Sequence, residues 1–423
     1  MDRAIVIGLY VLIAFTALAH GTVEAWSVAI FEILVILLLL LWALKVLSEK
    51  ELKLKLPTVA LPLAVFILIG LLQSVAIADS DGNRRSLSLD VEATRTATGL
   101  IFFLFLSFLL AANFLIGRER LKTLARFVAI YGLALAILAI VQQLTWEGSF
   151  YWVRPTRTFP FGPFVNRNHF AGYMELLIPI PVALIVARVG RFEERLFYGF
   201  AAAVMAIALI FSLSRGGMIS LFTQMMFILA MSSRLAQGGM DGVSPLSIKL
   251  RQIGAVTAIV VAIVVGVFHM GADPVINRIT GSAEESFYMS RGWIWRDTWA
   301  LIRAHPFLGA GIGAYPTAYP IHSQYNGLAG MVAQSHNDYL QVVADSGMVG
   351  GMLALWFVIT IFRAIGRGSC LPDPMAAGLT LGCGAAIFGI LVHSLFEFNL
   401  QLPSHALLFL FLSAVVSQLG QHR

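Results

Sequence analysis

Ser335, His336, Asn337 and Asp338 stand together where a polar stretch, AQSHNDYLQVVADSG (residues 333–347), runs into an apolar one. Side chains of these types bind protons or anions, and a histidine among them can act as general base toward a hydroxyl beside a phosphate leaving group. Ser335 followed by Asp338 has the form of a capping box, which predicts a helix starting at Ser335 with His336 in its first turn. The positive end of that helix would favour a neutral imidazole able to accept a proton. A capping cluster whose histidine only bonds a loop carbonyl is the other reading of the same four residues.

Arginines form the second set. LSRGG (213–217) joins two apolar runs, so Arg215 lies at or just below a membrane surface, where it is either functional or a snorkelling anchor. SRGWIWRDTWALIR (290–303) reads as a helix ending before His305-Pro306, with Trp293, Trp295 and Trp299 giving it interfacial character. Arg291 stands at its start, after Ser290, where free amides favour an anion. Arg296 and Arg303 read as interfacial anchors, and Arg296 is also kept as a candidate substrate contact. GPFVNRNHFAG (162–172) adds Arg167 and His169, and Glu175 lies one to two turns further on, where it could pair with either. Glu32, His393 and Glu397 complete the ionisable residues in or at apolar runs. GAGIG (309–313) follows no strand of a nucleotide-binding unit and reads as a turn. Cys370 and Cys383 have no metal-ligand spacing and read as packing residues, and no aspartate pair or Cys/His cluster on the outer side has the form of a metal site, so neither a metal nor a cofactor is expected.

The elements that must position these residues are apolar. Of the 423 residues, 58% are hydrophobic and 12% charged, with a mean hydropathy of +0.83, which describes an integral membrane protein with no nucleic-acid partner. Twelve runs can cross a hydrocarbon core of ~30 Å as helices: 4–20, 25–47, 57–77, 96–116, 122–144, 170–188, 195–212, 216–232, 250–270, 347–363, 376–395 and 404–420. Strands of alternating polarity are absent, so the fold expected is all-α. Ala17-Leu18-Ala19 could be read as a signal-peptidase site, but the nearly neutral start favours an uncleaved first span.

With both termini cytoplasmic, 18 of the 29 basic residues, including all six lysines, fall on the short inner connections, as the positive-inside rule requires. The other 11 are all arginine: 84, 85, 95, 154, 157, 167, 215, 278, 291, 296 and 303. A planar guanidinium grips two phosphate oxygens at once, which suits pyrophosphate better than an ammonium does. The excess of arginine over lysine in the whole chain is the competing explanation. The connection 271–346, between the ninth and tenth spans, is long enough to carry short helices of its own, as a lid on a single polytopic domain covering 1–423.

SHNDYLQVVADSGMVGG (335–351) resembles the His-Asn-x-x-Leu…Gly signature of the O-antigen ligase and polymerase superfamily. FVNRNHFAG (164–172), LSRGG (213–217), SRGWIWRDTWALIRAHPFLGAGIGAY (290–315) and HSLFEFNLQLP (393–403) resemble it too, in the same order, so the likeness covers roughly 160–403. The resemblance implies a metal-independent glycosyltransferase of the bacterial inner membrane with its site on the periplasmic face. The donor it implies is a glycan on undecaprenyl pyrophosphate, and the acceptor is a hydroxyl, on lipid A core in a ligase. By the same resemblance Arg215 and Arg291 hold the pyrophosphate and His336 acts as general base or orients the acceptor. Arg167, His169, Asn337, Asp338 and Arg296 are then substrate-binding. A polysaccharide polymerase or a protein O-glycosyltransferase would share the donor chemistry. Twelve spans also fit a solute or small-anion transporter, whose polar groups should lie near the midplane in repeated halves. Here they gather at the outer face, and no matching halves are visible.

Overall fold

The computed structural model describes residues 1–78, 84–156, 160–237, 254, 285–324 and 332–421. The ninth predicted span (250–270, except residue 254) and Arg157, Lys249, Arg251, Arg278 and Arg423 lie outside the described residues, as do the side chains of Arg84, Arg85, Arg234 and Ser290. The apolar runs are helical because no hydrocarbon-facing backbone group can be left without a partner. In the amino-terminal half they form α1 (Asp2–Leu18), α2 (Ala25–Glu49), α3 (Ala60–Gln73), α4 (Val91–Phe114) and α5 (Arg118–Leu144). Then come α6 (Arg167–Leu177), α7 (Pro179–Val186), α8 (Phe192–Phe211) and α9 (Arg215–Gln237). After residue 284 follow α10 (Glu285–Ala304), α11 (Tyr315–His322), α12 (Asp338–Gly368), α13 (Pro374–His393) and α14 (Pro403–Leu419). Among the described residues eight helices are long and apolar enough to cross a membrane, α6 and α7 counting as one, and α3 and α14 are shorter apolar helices. Two short antiparallel hairpins, β1–β2 (Ala76–Ala78 with Arg84–Ser86) and β3–β4 (Ser149–Phe150 with Arg154–Pro155), sit in the connections.

The run predicted as a span at 347–363 belongs to a helix that starts nine residues earlier and breaks at Gly347, whose φ is 65° and ψ −167°. The break accommodates the turn at 306–311, which hydrogen-bonds across it: Met348 N–H to Pro306 O, Ala310 N–H to Ala344 O and Gly311 N–H to Asp345 O, at 2.8, 2.8 and 3.0 Å. A Cβ on Gly347 would lie 2.2 Å from the Phe307 carbonyl, so conformation and space both demand glycine there. The first segment of α12 packs with α10 and α11 around Ile294, Leu301, Tyr315, Tyr319 and Ala344, a small core separate from the main one. On α10 the inward residues Arg291, Trp295, Thr298 and Ile302 follow helical periodicity, which fixes the face it turns to that core.

The described helices give the bundle two ends. At one, Asp2 pairs with Lys45 and Arg120, the Lys55 N–H donates to Asn113, and Gln421 reaches Thr58, so both ends of the described chain lie there. At the other, Arg154 pairs with Glu24, Gln73 bonds Leu308 and Asp345 carbonyls, and the Ser404 N–H bonds Gly21 O. Helices α8 and α13, of 20 residues each, run between these ends and span ~30 Å, the thickness of a hydrocarbon core.

Candidate functional site

Residues 394–402, between α13 and α14, form a turn onto which distant parts of the chain converge. Its Glu397 is 1% exposed. Glu397 Oε2 accepts hydrogen bonds from Asn168 Nδ2 at 2.7 Å and from the Arg291 guanidinium at 3.1 Å, while Oε1 lies 2.7 Å from His336 Nδ1. Asn168 comes from the first turn of α6, Arg291 from α10, and His336 from the segment leading into α12. A carboxylate is buried at low cost only when its charge is met. Burial pushes the Glu397 carboxyl up, but the hydrogen bond and charge of His336 and the charge of Arg291 outweigh it and hold the group at about 2. Glu397 is therefore a fixed negative charge at neutral pH.

The helix predicted to start at Ser335 starts at Asp338. Asn337, extended at φ −160° and ψ 108°, is its N-cap and accepts from the Tyr339 and Leu340 N–H groups. The Ser335 hydroxyl donates instead to the Asn337 carbonyl, because the chain turns sharply between them. His336 is thus not in the first helical turn but in a left-handed conformation, φ 53°, which costs about 1–2 kcal/mol for a residue with a Cβ. Neighbouring bonds hold it: Trp295 Nε1 to Ser335 O, Asn337 Nδ2 to Leu395 O, and the Asp338 N–H to Ser394 O. The expected influence of a helix end on the imidazole is replaced by a carboxylate at Nδ1. In the neutral tautomer that donates its Nδ1–H to Glu397, Nε2 offers a lone pair on the far side of the ring. The His336 side chain is 29% exposed against 2% for Glu397, so the ring faces outward from a buried anchor.

A second buried network lies alongside. Glu175, expected to pair with Arg167 or His169, pairs instead with His393 Nδ1 at 2.8 Å and accepts from Ser220 Oγ at 2.6 Å. Gln224 Nε2 donates to the Glu175 carbonyl, so α6, α9 and α13 are locked together. The two glycines after Arg215 permit this approach. A Cβ on Gly216 would lie 2.5 Å from His393 Nε2, and one on Gly217 would lie 2.7 Å from Ala171. Arg215 is thereby fixed as the first residue of α9 beside the His393 ring, and the His393 carbonyl accepts the Glu397 N–H at 3.1 Å.

Arg291 and His336 meet on one carboxylate, and the backbone just after Arg215, at Gly216, lies beside the His393 ring. His169 packs its ring on Phe398 at 5.0 Å, with His336 on the same ring at 4.9 Å, and its buried Nε2 has no hydrogen bond among the described residues. Arg167 opens α6, next to Asn168. Asn337 is used in capping α12, and Asp338 accepts from Ser394 Oγ at 2.7 Å and the Leu400 N–H at 3.2 Å, so both hold the scaffold. Arg296 is exposed and lies over the Trp293 ring, 5.4 Å from its centroid, away from this cluster. Glu397 and Asn168 were not among the predicted site residues. The signal for Glu397 was an acid closing an apolar run, yet its partners lie 61 and 106 positions away. No group of three or more His, Cys, Asp or Glu residues among those described is placed to hold a metal ion.

Comparison with known proteins bears on these positions. Residues 200–355 match the family described as O-antigen ligase, named Wzy_C. The matched segment contains Arg215, Arg291, Arg296, His336, Asn337 and Asp338; Arg167, His169, Glu175 and Glu397 lie outside it. No curated protein matches the chain.

Proposed function

Because residues 200–355 carry the O-antigen ligase domain of a family of membrane glycosyltransferases, we propose that the 393–397 cluster transfers a glycan from a lipid diphosphate to an acceptor hydroxyl. The observation that carries this reading is the His336–Glu397 contact of 2.7 Å, a partly exposed imidazole anchored by a buried carboxylate. His336 Nε2 takes the acceptor proton as the oxygen bonds to the anomeric carbon. The bond from that carbon to the diphosphate oxygen breaks, and its electron pair leaves with the diphosphate. Glu397 stabilises the imidazolium so formed, as an acid partner does in other histidine-based sites. Arg215 and Arg291 supply counter-charge to the departing diphosphate, the role a divalent cation would otherwise fill.

Access from the membrane supports a lipid-linked donor. An apolar cleft of about 360 Å³ runs along α12 between α3 and α14, from Asp338, Tyr339 and Ser394 beside the cluster to Phe66 and Phe357. It is suited to the isoprenyl chain of undecaprenyl pyrophosphate. The acceptor we assign is lipid A core, which makes the protein a ligase acting on the periplasmic face of a bacterial inner membrane. The test is incubation of the purified protein with a lipid-diphosphate glycan and lipid A core, with and without chelator. Glycan on the core in both conditions is expected. Glycan lengthened on its carrier instead would make the protein a polymerase, and loss of transfer with chelator would return the counter-charge to a metal.

A further inference from the structure

At the bundle end remote from this cluster, a cavity of about 750 Å³ opens between the starts of α5, α8 and α13. Five basic side chains line it: Arg118, Lys122 and Arg126 of α5, and Arg188 and Arg191 of the turn before α8. Glu193, Glu194 and Asp373 also line it, leaving an excess of positive charge. Two of the acids are occupied. Glu194 pairs with Arg126 at 2.8 Å and accepts the Arg191 N–H at 3.1 Å, while Asp373 caps α13 through the Met375 N–H. Among the described residues Arg118, Arg188 and Arg191 form no ion pair within 4 Å, so the five basic side chains of the cavity outnumber its three acids and three of the guanidiniums are not bound to a carboxylate. Three helix amino termini meet at the same place, adding partial positive charge. The adjacent outer face of α8 is apolar, with Phe192 and Leu196 67% and 64% exposed, as a surface in contact with acyl chains would be.

We propose that this cavity binds a phosphate-bearing anion, presented by the headgroup of an acidic phospholipid or free in solution. A basic pocket between helices at a membrane surface has the charge for such a group, and Arg118, Arg188 and Arg191 can grip two oxygens each. The cavity is separated from Glu397 by the length of α13, so binding here does not depend on the glycosyl-transfer reading.

The test uses the full chain in nanodiscs, comparing phosphatidylglycerol or cardiolipin with phosphatidylcholine, and counts retained lipid by native mass spectrometry. A parallel arm in lipid-depleted detergent adds inorganic phosphate or pyrophosphate and follows the unfolding midpoint. Retention of acidic lipid by the wild type, weakened roughly fivefold for each of Arg118→Ala, Arg188→Ala and Arg191→Ala and recovered in part by lysine, supports a headgroup. A rise in midpoint with phosphate alone, absent in the triple alanine variant, supports a free anion. Equal retention of acidic and neutral lipids together with no phosphate effect overturns the proposal. So does unchanged acidic-lipid binding by a correctly folded triple variant.

Discussion

The two ends of α8 and α13 carry charge in opposite ways. Around Glu397 the charges are few, buried and assigned: the Arg291 side chain is 9% exposed, Glu397 2%, and the partners come from far apart in the chain. Around the basic cavity they are numerous and open to solvent, with Arg126 61% and Glu194 38% exposed in their pair. Burial makes an unmatched charge expensive, so each group at the first end has one defined position. Exposure makes each group at the second end replaceable, and only their sum matters. A site that must place one proton and one leaving group needs the first arrangement. A surface that attracts an anion can use the second.

The sharpest test of the contrast is at the buried end. His336→Ala should lower glycan transfer by about 10²–10⁴-fold, the range for loss of a general base, while membrane insertion is unchanged. Transfer rates with a lipid-diphosphate donor check it, and a retained rate would remove His336 from the chemistry. Glu397→Gln should come next, with a rate loss of about 10²-fold and a smaller loss of stability, because the amide keeps the shape but not the charge. Glu397 is depressed in the folded protein, so its stabilising charge is present above the ordinary carboxylate range and is lost only as pH falls through about 2. The loss of stability in Glu397→Gln should therefore be present at pH 8 and at pH 6 alike, and its disappearance at pH 6 would mean that the carboxyl is already protonated there. A shift of the rate profile between these values instead reports His336, which loses its partner. Glu397→Ala should also destabilise, by about 3–5 kcal/mol, by leaving the Arg291 guanidinium buried without its carboxylate. The midpoint of thermal unfolding in detergent measures this.

What the sequence disclosed follows the same division. Apolar runs foretold helices because span formation depends on local composition, and the basic ends of those runs were visible in the same way. The chemistry at the buried end depends on pairs such as Glu175 with His393, 218 positions apart, which no local spacing encodes. The segment 335–338 shows the limit within four residues. Its polar character marked the site, but Asn337 rather than Ser335 caps the helix, and the left-handed turn at His336 is set by bonds to Ser394, Leu395 and Trp295. Gly216 was legible as part of LSRGG, whereas the reason for it, an imidazole at 2.5 Å, needed the fold. Gly216→Ala should cost about 1–3 kcal/mol and lower transfer through displacement of α9, since the His393 ring is held by Glu175 and cannot retreat freely. Unfolding midpoints and transfer rates identical to wild type would show that the ring is loosely held.

The smallest effect is expected from Arg126→Gln at the open end. This breaks the 2.8 Å pair with Glu194 but leaves Glu194 its bond to the Arg191 N–H, and the freed carboxylate is solvated rather than stranded. Unfolding midpoint and transfer rate should both match the wild type. A midpoint drop as large as that of Glu397→Ala would mean that the exposed pair holds α5 to α8 as firmly as Glu397 holds its partners, and the distinction between the two ends would then be one of position alone.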